Sequence, residues 1–421
     1  MIEPTFDIEA LYSLFEQCES VSTDSRHIEP KSLFFALRGA NFDGNLYAIA
    51  ALEAGAEYAV VSSETPLKER PDLAKRMFLC DNTLTALQIL ARHHRRQLAL
   101  PIIAIAGSNG KTTTKELVAR TLSERFETYA TRGNLNNHIG VPLTLLAMTK
   151  DTEFGVVEMG ASSCNEIALL CEIAEPNYGI LTNIGRSHLE GFGGVEGIRR
   201  GKGELFDYLA ANGGRAFVPK EDETLLEMAA ERVNMATELY SRTIGEGYQS
   251  QLVGDYNRAN IAAAVAIGNY FGIDSQRIAA AIESYTPSNN RSQEMITRKG
   301  NRLIIDCYNA NPSSMAAAIK NFATIDAERR IVILGDMLEL GEWSADEHSN
   351  ILRLVEQLPI SDTILVGEHF ADAARELQSE ATLFATTEKA AAWLAERDIR
   401  SACILLKGSR GIALEKLIQF L

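Results

Sequence analysis

The run Gly107-Ser-Asn-Gly-Lys-Thr-Thr113 has the residue types and spacing to hold the phosphates of a nucleotide. Glycines let backbone N–H groups close around phosphate oxygens. A lysine at the position of Lys111 reaches the β and γ phosphates, and a hydroxyl at Thr112 suits magnesium. The general pattern asks for another glycine where Ile105 stands, so the loop is a shorter variant. The plainer reading is a glycine-rich turn with a chance Gly-Lys-Thr, and the flanking elements decide between the two.

Those elements have the right order. Pro101 to Ala106 is a short apolar run that predicts a buried parallel strand, and Thr112 to Glu124 predicts a helix. Strand, loop and helix are the context a phosphate loop needs, and the helix N-terminus adds partial positive charge. Phe154-Gly-Val-Val-Glu158 reads as a strand ending in a carboxylate. Ligands of open α/β sheets bind at the carboxyl ends of strands, so Glu158 is placed to help hold a metal; a solvated strand-end acid is the alternative. His188 follows a further strand, in Leu181-Thr-Asn-Ile-Gly-Arg-Ser-His188, and reads equally as structural or as a ligand. Lys202, in Gly201-Lys-Gly-Glu-Leu-Phe206, reads on chemistry alone as a surface lysine.

A chain of 421 residues exceeds one ordinary core and fits two or three domains. We divide it into three α/β blocks. Residues 1–80 hold short strand-like pieces, Ser32 to Leu37 and Tyr58 to Ser62, around a helical stretch near Leu46 to Gly55. Residues 81–287 begin with an amphipathic helix, Asn82 to Leu98, and add strands at Phe154–Met159, Tyr178–Thr182 and Arg215–Val218. Helices are expected there at Cys164–Ile173 and Arg258–Phe271, before a turn-rich linker, Tyr285 to Asn290. Residues 288–421 alternate again. Their strands are expected at Leu303–Asp306, Arg330–Leu334, Thr363–Val366 and Ala402–Leu406, and their helices at Ser313–Phe322, Ala345–Gln357, Glu388–Glu396 and Gly411–Phe420. Strand–helix alternation predicts open, mainly parallel sheets with helices on their faces.

The formal charge of −15 disfavours a nucleic-acid or anionic-membrane partner, since both need a basic face. Six scattered cysteines form no C-x-x-C pair and read as reduced thiols. The start of the chain lacks a basic and an apolar region, so no secretory signal is expected. No apolar run approaches the roughly 20 residues of a membrane span. Together these features predict a cytoplasmic protein, and they leave room for a phosphorylated small molecule held in a local basic pocket.

In order and spacing, the phosphate loop, Glu158-Met-Gly, Thr182-Asn-Ile-Gly-Arg-Ser-His-Leu-Glu190 and Lys202-Gly-Glu-Leu-Phe206 resemble the central domain of the Mur ligases. Asp306-Cys-Tyr-Asn-Ala-Asn-Pro312 and Leu334-Gly-Asp-Met-Leu-Glu-Leu-Gly341 resemble its C-terminal, Rossmann-like domain. Ser22-Thr-Asp-Ser-Arg26 and Leu33-Phe-Phe-Ala-Leu37 resemble its N-terminal UDP-binding module. With Gly133-Asn-Leu-Asn-Asn137 and Lys407-Gly-Ser-Arg410, the pattern is most similar to the members that add D-alanyl-D-alanine.

The resemblance implies an ATP-dependent ligase acting on UDP-MurNAc-tripeptide and D-Ala-D-Ala, with two Mg2+ ions and a carbamate on Lys202, working as a monomer. It implies that Gly107, Ser108, Asn109, Gly110, Lys111, Thr112 and Thr113 serve the ATP phosphates. Thr112, Glu158, His188 and Lys202 would serve metal. Asn183 and Asn260 would lie near the adenine, Arg291 near the γ-phosphate, Asp306 on the ribose, and Asn309 beside the nucleotide. Ser25, Arg26 and Asn137 would face the other substrates. Tyr256, Asn290, Lys31 and Asn45 depart from residues common in the family. A relative with another acceptor, a regulatory phosphate-loop NTPase and a non-enzymatic UDP-sugar binder are the competing readings.

Overall fold

Alternation of short apolar runs with amphipathic helices produces three main sheets, beside a two-stranded ribbon of Arg38–Gly39 and Phe42–Asp43, in the computed structural model, which describes residues 5–252, 254, 256–287 and 293–421. The first sheet is parallel, in the order Ser20–Ser22, Ser32–Phe35, Tyr58–Val61, Met77–Leu79. The helix Thr83–Leu98 follows it. Asn82 starts this helix by accepting from the N–H groups of Leu84 and Thr85, and Ala99 ends it at φ +51°. Its apolar stripe joins the core of the first unit to that of the second, with Leu33, Leu87 and Leu90 in one continuous cluster.

The second sheet carries the phosphate loop. Its order is Ala236–Tyr240, Arg215–Pro219, Tyr178–Leu181, Ile102–Ala106, Phe154–Glu158, Thr128–Ala130, and all pairs are parallel. Every residue of Ile102–Ala106 is fully buried, as a central strand covered on both faces must be. Its two-residue period divides it between two cores. Ile103 and Ile105 pack with Leu117, Val118 and Ile261 of the helices Lys111–Ser123 and Tyr256–Tyr270. Ile102, Ala104 and Ala106 face Leu170, Leu205 and Leu209 on the other side. Strand order reverses around Ile102–Ala106, which puts a crevice at its carboxyl end.

The third sheet is mixed. Gln293–Ile296 runs antiparallel to Arg302–Asp306; Cys403–Lys407, Arg330–Gly335, Asp362–Val366 and Thr382–Phe384 follow in parallel. The expected terminal helix Gly411–Phe420 is instead two 3-10 segments, Arg410–Ile412 and Leu414–Phe420. Ala413, at φ +56°, interrupts the helical hydrogen-bond ladder between them. Among the described residues no helix is long and apolar enough to cross a membrane.

Candidate nucleotide and metal site

Gly107 and Gly110 adopt φ +128° and +81°, in the region that favours glycine. Neither leaves room for a side chain. A Cβ on Gly107 would lie 2.2 Å from Thr182 Oγ1, and one on Gly110 2.5 Å from Asn260 Oδ1. The segment after Tyr178–Leu181 clasps the loop. Asn109 N–H donates to Asn183 Oδ1 (3.1 Å), while Asn183 Nδ2 and Thr182 Oγ1 donate to the Asn109 carbonyl (2.9 and 2.6 Å). Asn260 accepts from Thr114 Oγ1 (3.1 Å) and donates to Asn257 (2.9 Å). Asn183 thus braces the loop directly, while Asn260 packs against Gly110. Lys111 opens the helix, and its Nζ donates to the carbonyls of Gly107 and Ser108 at 2.9 and 3.0 Å.

Glu158 ends its strand 1% exposed. Its Oε1 accepts from Thr112 Oγ1 (3.2 Å) and Asn136 Nδ2 (2.8 Å), whereas Oε2 is buried with no hydrogen-bond partner. A buried carboxylate oxygen left unpaired is costly, and a cation beside Thr112 would relieve that cost. Carboxylate and hydroxyl are the hard oxygen donors that magnesium takes. Among the described residues no three His, Cys, Asp or Glu side chains converge. That sparse protein set suits an ion that keeps waters and phosphate oxygens in its shell.

Lys202 is not on the surface. It sits within the helix Val195–Ala211, fully buried. Its Nζ donates to the Ala161 carbonyl at 2.8 Å and lies 4.8 Å from the centre of the Phe192 ring. Burial first, then the charge of Lys111, push its amine well below the ordinary lysine range, against the opposing pull of Glu166 and Glu204. The surface reading fails because the lysine's burial comes from segments distant in sequence.

The third unit supplies the opposite wall. Asp306 pairs with the buried Lys407 at 2.5 Å, the two residues being register partners on neighbouring strands. Asn309 Oδ1 accepts from Ala310 N–H at 2.9 Å. His188, at φ +53°, contacts Glu339 of this unit through Nδ1, and that partner holds the Glu339 carboxyl below its usual range.

A cavity of about 850 Å3 lies between the two units. Ser108 through Thr113, Asn137, Glu158, Asn183, His188, Asn260, Asp306 and Asn309 line it. Gly107 and Lys202 are outside that lining, in the layer behind. Ser25 and Arg26 belong to the first unit and are not part of it; Arg26 is exposed and pairs with Asp24 at 2.7 Å. Arg291 lies outside the described residues. Asn136, Asn311, Glu339 and Lys407 reach the cavity without having been singled out from sequence. Each stands in a motif quoted above, but only tertiary contact shows which way it serves.

The chain matches the Mur ligase middle domain over residues 105–245, the Mur ligase glutamate ligase domain over 290–410, and the Mur ligase family catalytic domain over 17–95. It is 34% identical to the UDP-N-acetylmuramoyl-tripeptide–D-alanyl-D-alanine ligase of Bacillus subtilis, across 95% of this chain and 92% of that protein. A crystal structure of MurF from Acinetobacter baumannii superposes with a TM-score of 0.84 at 30% identity, covering 99% of this chain and 98% of that one. MurF ligase from Thermotoga maritima in complex with ADP gives 0.82 at 25% identity, covering 97% of each chain. With three matched domains and a relative of this identity over nearly its full length, the chain belongs to the Mur ligase family.

Proposed function

We propose that this chain is an ATP-dependent ligase that adds D-alanyl-D-alanine to UDP-MurNAc-tripeptide, releasing ADP and phosphate and completing the pentapeptide precursor of peptidoglycan. The observation that carries this reading is the cavity itself: a phosphate loop and a half-satisfied buried carboxylate on one wall, facing a second unit that closes the opposite wall. The names of relatives matched along almost the whole chain supply the substrates.

The chemistry explains the need for ATP. A carboxylate is a poor acyl donor because an oxide would have to leave. Its attack on the γ-phosphorus expels ADP and gives an acyl phosphate. The dipeptide amine then attacks the acyl carbon, and phosphate departs. Phosphoryl transfer depends mainly on positioning and charge neutralisation. Lys111 serves the β and γ phosphates, and the backbone from Gly107 to Thr113 cradles them. In the same reading Arg291 approaches the γ-phosphate, Asp306 the ribose, Asn183 and Asn260 the adenine, and Asn309 sits beside the nucleotide.

Thr112, Glu158 and His188 would hold magnesium, with a carbamate on Lys202 providing an anionic oxygen for a second ion. The two ions would neutralise charge on the transferring phosphoryl group. Carbamylation needs a neutral amine, and burial disfavours the charged form of Lys202. Residues 1–80 would bind the UDP end through Ser25 and Arg26, and ATP would lie between residues 81–287 and residues 288–421, with Asn137 facing substrate. The enzyme would work in the cytoplasm as a monomer.

Isotope transfer tests the acyl-phosphate step. Tripeptide substrate labelled with 18O in its terminal carboxylate should deliver one 18O into inorganic phosphate per turnover. Unlabelled phosphate would contradict carboxylate attack on ATP.

A further inference from the structure

Asn311 is the N-cap of the helix Pro312–Ala323 in the third unit, and it forms a capping box with Ser314. Its Oδ1 accepts from Ser314 N–H at 2.9 Å, which settles the orientation of the amide. The Nδ2 therefore points away from its own helix, and it donates to Asn109 Oδ1 in the phosphate loop at 2.7 Å. This is a contact between side chains 202 positions apart, and Asn311 is only 8% exposed.

Asn109 is itself a hub. Its backbone N–H and carbonyl are both held by Asn183, and the carbonyl also by Thr182. Asn311 thus sits at the end of a chain of amides that runs from the third unit into the phosphate loop. A second contact keeps the chain in register. Ser313, two residues along the same helix start, accepts from Arg186 N–H at 2.9 Å. The approach is close: a Cβ on Gly185 would lie 3.0 Å from Asn109 Nδ2 and 3.1 Å from Ser313 Oγ.

We propose that Asn311 is a positioning residue for ATP: its amide fixes Asn109, and so makes the shape of the phosphate loop depend on the seating of the third unit. Its side-chain hydrogen bonds go to Ser314 and Asn109, and none goes to Thr112, Glu158, His188 or Lys202. Its effect is to raise the fraction of molecules whose phosphate loop is set for nucleotide. The inference rests on the nucleotide reading above, but not on the identity of the acceptor.

Asn311→Ser and Asn311→Ala separate this role from capping. Serine replaces the cap acceptor but cannot extend a donor to Asn109, whereas alanine loses both. Both variants should bind the Mg2+ complex of a non-hydrolysable ATP analogue about five- to tenfold more weakly, the effect of one lost hydrogen bond. Both should raise the KM for ATP with that for UDP-MurNAc-tripeptide unchanged, and only Asn311→Ala should melt at lower temperature. Asn109→Ala/Asn311→Ser should bind no more weakly than Asn109→Ala. Recovery of wild-type nucleotide affinity together with melting temperature in Asn311→Ser would reduce Asn311 to a helix cap and overturn the proposal. A wild-type chain that binds no nucleotide would instead overturn the function on which the proposal rests.

Discussion

Lys202 and Lys111 show how differently two lysines close enough to influence each other's charge can be read. Lys111 belongs to a contiguous pattern whose chemistry is local: glycines, a cation and a hydroxyl between a strand and a helix. Such a pattern is legible without a structure. Lys202 owes its character to Ala161, Phe192 and the charge of Lys111, all brought together by folding, and no local pattern exposes that. The buried amine has a direct consequence. In buffer containing 13C-bicarbonate, the wild-type chain should give a carbamate carbonyl signal in the 13C NMR spectrum that is missing from Lys202→Arg. Identical spectra for the two proteins would rule out the carbamate. Glu158 was half legible: its place at a strand end follows from the apolar run before it, but its unpaired Oε2 emerges only once Asn136 and Thr112 have taken the other oxygen.

At the scale of elements, fully apolar runs were the clearest signal. Ile102–Ala106 and Arg330–Gly335 form where continuous hydrophobic residues predict doubly covered strands. The helix Val195–Ala211 carries a weaker local signal. Gly197, Gly201 and Gly203 lower its intrinsic propensity, and packing of Ile198, Leu205 and Leu209 against the sheet overrides them. The turn Asp336–Gly341, which carries Glu339 to His188, depends on a buried histidine. His348 Nε2 accepts from Met337 N–H at 3.0 Å, and its Nδ1 donates to the Ser344 carbonyl at 2.7 Å. That pattern needs a neutral ring. Burial lowers the His348 pKa, with His369 acting the same way and Asp336 and the Ser344 bond opposing. The unfolded chain therefore takes up the proton first. Stability from this group is intact above the ordinary histidine value of about 6.5 and declines as pH falls toward the lower folded-state value. Urea unfolding between pH 7.5 and pH 5 should show this loss in the wild-type chain and a shallower slope in His348→Gln. Equal slopes would mean that His348 does not titrate with folding.

At the scale of the whole molecule, the second and third units meet around the cavity. The loop that follows Tyr178–Leu181 meets the third unit through Arg186, which pairs with Glu347, and through His188, which pairs with Glu339. The same loop clasps the phosphate loop through Thr182 and Asn183. One segment therefore touches both nucleotide wall and neighbouring unit, a suitable arrangement for an enzyme that must exclude water from an acyl phosphate. That the chain builds three α/β units was readable from the recurrence of strand–helix alternation. The pairing of particular side chains across the cavity was not, because nothing local in Asp306–Pro312 or Leu334–Gly341 says which loop of another unit it will meet. The central claim is that these walls form a ligase site which couples ATP to an amine acceptor. Its most direct test is phosphate release from ATP with UDP-MurNAc-tripeptide, with and without D-Ala-D-Ala, followed by the mass of the product and with Lys111→Ala as a folded, inactive control. Release that requires the dipeptide, with a product heavier by one dipeptide unit, is the expected result; release indifferent to the dipeptide, or undiminished in Lys111→Ala, would contradict it.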